Sequence, residues 1–173
     1  RPRENPPPMK HLNSSWETRR YPRPKRNELT RLARRAAELA GLPADFDWDL
    51  DIRFVGDRTM AQANAEFVGH EGTTDVITFS YFDDPGSLFP GEAAVELLIC
   101  LDAARREGEK RADSSYSREV VLYIVHGLLH SAGEDDLSPA PRRRMRRRER
   151  EVLAGLEPEF DFTALFPPPG FRR

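Results

Sequence analysis

Apolar positions recur along this chain with two periods, and the switches between them mark its elements. Leu29, Leu32, Ala33, Ala36, Leu39 and Ala40 repeat at helical spacing, so residues 27–40 are predicted as a helix. Asn27 is its expected N-cap, and Gly41 and Pro43 its stop. Trp48, Leu50, Ile52 and Phe54 then alternate with Asp49, Asp51 and Arg53, the period-two pattern of a half-buried strand. Asp57 is expected to cap a helix running to Phe67. Residues 75–82 are rich in β-branched and aromatic side chains and predict a second strand, with a turn at Asp83-Asp84-Pro85-Gly86. Residues 93–101 predict a third clear strand, and 102–112 a short helix. A long apolar helix is expected over 118–132, capped by Ser117 and stopped by Gly133. A last helix is expected from Pro139 or Pro141 to residue 154.

The two ends break this pattern. Pro6-Pro7-Pro8, Pro22 and Pro24 interrupt residues 1–26, which are predicted as a flexible basic arm, with Trp16 a candidate pin to the body. Residues 158–173 are again Pro-rich and predicted as a tail. Residues 27–157 form the expected single domain. Its element order implies an α/β (α+β) fold, with a small mixed sheet of about four strands packed against about five helices.

Composition narrows the class. The chain has 173 residues, 38% apolar and 32% charged, a soluble globular balance with a sizeable core. Cys100 is the one cysteine, and it sits in the apolar run 95–101, so a buried strand thiol is expected. One cysteine excludes an internal disulfide and a thiolate-rich zinc site, and fits a reducing compartment. No apolar run approaches membrane-spanning length and no signal-peptide pattern opens the chain, so a cytoplasmic protein without a membrane partner is expected. The first residue is Arg rather than Met, so the natural start is expected upstream.

The net charge of −2 hides an uneven distribution. Residues 1–26 carry +6, residues 27–138 carry −12, residues 139–150 carry +6 and the remainder −2. An acidic body with basic ends suits a polyanion touched by those ends, rather than one gripped by the whole surface.

The candidate chemistry lies in residues 126–136. On a wheel started at Val120, His126 and His130 fall at about 240° and 280°, together and off the most apolar face. Residues four apart on a helix are neighbours, so the two imidazoles can share a divalent ion, with zinc expected. Gly133 frees the backbone to turn back, and Glu134, Asp135 and Asp136 then compete to supply an oxygen donor. Three protein donors would leave a position for water, the catalytic arrangement. Each of these residues also has an ordinary reading, as packing or surface histidines and solvated carboxylates. Position 127 is Gly, so the glutamate of the H-E-x-x-H peptidases is absent.

The segment His126-Gly127-Leu128-Leu129-His130-Ser131-Ala132-Gly133-Glu134-Asp135-Asp136 resembles the H-G-x-L-H-L-x-G-Y-D-H signature of the YbeY family of ribosomal-RNA-maturation endoribonucleases. Residues 64–79, with Thr74-Asp75-Val76, resemble that family's N-x-x-[YF]-R-x-x-D-x-x-T-D-V-L-S-F block, and residues 91–101 its G-D-I-x-I-[CS] strand. The matches span residues 48–136. The resemblance implies one zinc ion per chain held by His126, His130 and Asp136, with Asp136 standing where the family has His. It also places Val68 where the family has an Arg that serves the RNA phosphate.

The implied activity is metal-dependent, single-strand-specific endonucleolytic cleavage in ribosomal RNA maturation. The implied partners are RNA and the ribosome or its small-subunit proteins. With Val68 in the Arg position, the cation for phosphate charge is expected from Arg142, Arg143 and Arg146, or from Arg144, Arg147 and Arg148 in the same run, with His70 a further candidate in the cleft. The opposing expectation is a solvated helix in which Glu149 and Glu151 pair locally with these arginines. Two other functions fit the chain: a ribosome-associated binding protein with a structural metal, and a metal hydrolase of a non-RNA substrate.

Overall fold

A computed structural model gives the architecture, and it describes residues 9–44, 47–68, 75–82, 88 and 92–170. Four strands form one mixed sheet: β1 (His11–Trp16), β2 (Asp49–Val55), β3 (Val76–Ser80) and β4 (Ala93–Cys100), in the order β1-β2-β4-β3. β1 and β2 run parallel, as do β2 and β4, while β3 is antiparallel to β4. Such parallel pairs need crossovers, and α1 (Arg26–Ala40) makes the first of them, between β1 and β2. α2 (Asp57–Ala63) continues as a π-helical turn, Asn64–Val68. After the sheet come α3 (Leu101–Lys110), α4 (Tyr116–Ser131), α5 (Pro139–Leu156) and the short α6 (Phe162–Leu165). The α/β class, the small mixed sheet and five of the helices match the expectation. No helix among the described residues is long and apolar enough to cross a membrane.

Strand β4 is buried along nearly its whole length, and α4 lies across β3 and β4 with α1, α3, α5 and α6 around it. Its apolar face, with Val120, Val121, Ile124, Val125, Leu128 and Leu129, is wholly buried. Each such side chain contributes about 1.5–3 kcal/mol by leaving water. Gly127 lets the helix approach the sheet: a β-carbon there would lie 2.5 Å from Leu97 Cδ2 and 3.1 Å from Thr78 Oγ1.

Several sequence expectations are corrected. The arm predicted over residues 1–26 holds strand β1, and Met9, Leu12 and Tyr21 are buried in the core. Trp16 does pin it, its ring tilted against that of Phe54 at 4.9 Å and its indole N–H donating to the Tyr21 carbonyl at 3.0 Å. The predicted tail also packs: Phe160, Leu165 and Phe166 are buried, and the Ser117 hydroxyl donates to the Phe166 carbonyl at 2.5 Å. Ser115, not Ser117, caps α4, accepting the Arg118 N–H at 3.1 Å. Lys25, not Asn27, is at the N-cap of α1, without a side-chain bond. Asp57 caps nothing; its own N–H is accepted by Asp102 at 2.8 Å while its carboxylate pairs with Arg106. The predicted turn at residues 83–86 lies outside the described residues.

Candidate metal centre and cleft

Two helices build the site. α4 ends where Gly133 takes a φ of 105°, and the Gly133 and Glu134 N–H groups close back on the His130 and Leu129 carbonyls, each at 3.1 Å. Ser138 and Pro139 then start α5, which returns antiparallel beside α4. The antiparallel register is fixed by cross-helix pairs: His126 faces Glu149, and Arg118 faces Glu157.

His126 is half-buried between two carboxylates. Its Nδ1 lies 3.5 Å from Glu149 Oε1, and its Nε2 lies 3.8 Å from Asp136 Oδ2. Burial disfavours the charged ring, but the Glu149 hydrogen bond and the charges of Glu149, Asp75 and Asp136 outweigh it and raise the pKa above 6.5. A neutral His126 that donates Nδ1–H to Glu149 turns an Nε2 lone pair towards the Asp136 carboxylate. Two acceptors facing each other call for a positive charge between them, a proton or a metal ion.

His130 is exposed, and its Nδ1 lies 3.0 Å from the Glu134 carbonyl oxygen. A carbonyl only accepts, so Nδ1 carries a ring proton and Nε2 is the nitrogen left to face a ligand. Carbonyl and carboxylate partners of this kind orient metal-binding histidines. The three competing acids are now sorted by their contacts. Asp136 has its carboxylate beside His126, Asp135 accepts the Leu137 N–H at 3.1 Å, and Glu134 contributes its backbone carbonyl to His130. Among the described residues, no group of three His, Cys, Asp or Glu side chains converges tightly enough to form a metal site by itself. The structure thus brings His126 and Asp136 together, and leaves His130 one turn on with its ring oriented.

The His126 pair opens into a cleft of about 840 Å³ between α3, α4 and α5. Arg142, Arg146 and Arg150 line its α5 wall. Arg142 is tethered by its Nε to the Asp136 carbonyl at 3.2 Å. Arg143 does not line the cleft, and Arg148 points elsewhere, to Glu151 and the Leu39 carbonyl. His70 lies outside the described residues, and Val68 closes the π-helical turn. The sequence reading missed Glu149 as the partner of His126. Local pairing of Glu149 with arginines was only the opposing expectation; the signal that Glu149 offers is being the one acid within the arginine-rich run 142–150. Cys100 is fully buried, which with the neighbouring Asp57 pushes its thiol up to about 12 and keeps it inert.

Comparison with known proteins agrees with this architecture. The chain is 38% identical over 128 residues to the Endoribonuclease YbeY of an Anaeromyxobacter species, covering 73% of this chain and 64% of that protein. It is 36% identical over 134 residues to that of Rhodopirellula baltica, covering 76% and 66%. The chain therefore spans just under two thirds of the length of these two relatives. Against that of Symbiobacterium thermophilum it is 32% identical over 136 residues, covering 74% and 84%. The solution structure of TM1509 from Thermotoga maritima shares the fold, with a TM-score of 0.52 at 19% identity over 95% of this chain and 99% of that one. The family model described as Endoribonuclease YbeY matches residues 13–157, from the first strand to the end of the arginine-bearing helix, and the chain belongs to that family.

Proposed function

We propose that this protein is a zinc-dependent endoribonuclease that cuts single-stranded RNA during late ribosomal RNA maturation in the cytoplasm, in contact with the ribosome. The observation that carries the reading is His126, set between Asp136 and Glu149 at a cleft walled by Arg142, Arg146 and Arg150. Membership of a family described as an endoribonuclease supports it.

Two imidazole nitrogens and a carboxylate oxygen are donor types that zinc accepts, and both rings keep Nε2 available. His126, His130 and Asp136 would hold the ion. When bound, zinc would polarise a phosphate oxygen and acidify water in the cleft.

The remaining work belongs to the chain's own groups. Glu149 and the Glu134 carbonyl fix the two rings. The guanidinium groups of Arg142, Arg146 and Arg150 match phosphate oxygens and offset the charge that grows in the transition state. They supply the cation that Val68 cannot. The cleft is open along α4 and α5, which suits an extended single strand.

The test joins metal analysis of the purified protein with cleavage of a labelled single-stranded RNA, for the native chain and His130→Ala. Stoichiometric zinc and cleavage are expected in the native chain, and both should fall in the variant. Equal cleavage by the two, or a native chain that takes up no metal, overturns the proposal.

A further inference from the structure

The arginines of α5 are not equivalent. Arg148 is turned away to Glu151 and the Leu39 carbonyl, and Arg147 lies 4.0 Å from Glu151. Arg146 and Arg150 line the cleft with no hydrogen-bond or ion-pair partner among the described residues. Arg142 lines it too, but one edge of its guanidinium is engaged: Nε donates to the Asp136 carbonyl at 3.2 Å.

That bond joins two parts of the site. Asp136 is the residue whose carboxylate lies 3.8 Å from His126 Nε2. It sits in the turn between α4 and α5 with its side chain 46% exposed, so packing does little to hold it. Local bonds shape the turn instead. The Leu137 N–H donates to the Asp135 carboxylate at 3.1 Å, and the Arg142 N–H to the Ser138 carbonyl at 3.0 Å. Arg142 thus closes the turn twice, once with its backbone and once with its side chain. A guanidinium is a rigid planar fork of five N–H donors. One is spent on Asp136, and the four on the Nη atoms have no partner among the described residues. Because the fork is rigid, whatever orients its Nη edge also orients Nε, and through it the peptide group of Asp136. Charge acts with the same sign. An unneutralised Arg142 repels a divalent ion in the same corner of the cleft, and an anion on its Nη groups removes that repulsion.

We infer that Arg142 is a positioning residue that couples strand binding to metal binding. A backbone phosphate on its Nη groups and a divalent ion held by His126, His130 and Asp136 favour each other. The inference rests on the zinc and RNA reading above and adds a regulation to it: the site is completed when a strand arrives. Linkage makes the effect reciprocal, so the strand tightens the metal by the factor by which the metal tightens the strand. Arg146 carries the same charge without the tether, and contributes affinity without coupling. Lysine at 142 would keep the charge, but a single ammonium cannot hold the carbonyl and present a fork to phosphate at once.

The experiment is a competition titration of zinc, with and without a saturating 2′-O-methyl oligouridylate, on the native chain, Arg142→Lys and Arg146→Ala. Strand anisotropy with and without zinc gives the reciprocal value. The strand should raise native zinc affinity about fivefold or more. Arg146→Ala should need more strand to saturate and then show the native gain. Arg142→Lys should lose most of the gain at saturation, in both titrations, while its Tm stays near the native value because the side chain is exposed. A native zinc affinity that ignores the strand, or a gain that survives in Arg142→Lys, overturns the coupling and leaves the metal and RNA reading standing. A native chain that takes up no zinc removes both.

Discussion

Gly127→Ala probes the contact that seats the site on the sheet. The added β-carbon would lie 2.5 Å from Leu97 Cδ2 and 3.3 Å from its Cδ1, and Leu97 is buried between β4 and α4 with little room to swing. Overpacking of this kind costs about 1–3 kcal/mol. Alanine returns about 0.8–1.0 kcal/mol of helix propensity. The net is a loss of about 1 kcal/mol, or about 2–4 °C in Tm for a chain of this size. Gly155→Ala is the matched control. Its β-carbon would meet Leu39 Cδ1 at 2.9 Å, but Leu39 is half-buried and its end can move, so the propensity gain should dominate and Tm should rise. Thermal melts of both variants, with Gly127→Ala repeated in a Leu97→Ala background, separate the two effects. Removing Leu97's side chain should turn the cost into a gain, a coupling of about 0.5–3 kcal/mol. Gly127→Ala melting as high as Gly155→Ala, or showing no coupling to Leu97, would refute the close-approach argument. The same contact explains why a peptidase-type glutamate has no place at 127.

Three further outcomes are expected. Glu149→Gln removes the charge that raises and orients His126, and should weaken zinc affinity about 10–100-fold in a competition titration while Tm changes little. The Arg106 hydrogen bond holds Asp57 below its ordinary 3.8, so this pair stabilises the fold above that pH and is lost as pH falls through the depressed value. Urea midpoints of the native chain should therefore fall more steeply below pH 4 than those of Asp57→Asn; parallel curves would remove the pair from the account. Arg146→Ala should weaken binding to all single-stranded RNAs alike and lower the slope of log affinity against log salt by about 0.7, the signature of one lost phosphate contact.

Much of this was legible in the sequence where periodicity is strong. β2, β4, α1 and α4 each carry an unbroken apolar pattern, and the two histidines follow from helical spacing alone. β1 was not legible. Its Asn13, Ser14 and Ser15 are exposed on the outer strand of the sheet, and the pairing to β2 that holds it is backbone chemistry with no local signature. The C-terminal segment hid for another reason. Its prolines read as disorder, while Phe160, Leu165 and Phe166 are buried, the Phe166 ring 6.0 Å from Phe54 of β2 and the Phe160 ring under Arg31 of α1. The His126–Glu149 pair spans two helices: Glu149 stands out as the one acid in the arginine run, but which residue it meets across the turn is set by the packing of α5 on α4.

The turn that carries Asp136 has a consequence for how the site can change. The imidazoles and arginines belong to helices locked by core packing and cross-helix pairs, whereas residues 135–138 bury little and are held by short local bonds. Surface substitutions of this kind usually stay within about 0.5 kcal/mol. In the proposed zinc site the oxygen donor would thus be an exchangeable part mounted on a fixed frame. A single replacement at 136, by an imidazole or a thiol, would alter the hardness of the donor set without asking the fold to adjust. Under that proposal, metal preference would be open to change one residue at a time, while the geometry that would meet a phosphate is inherited whole.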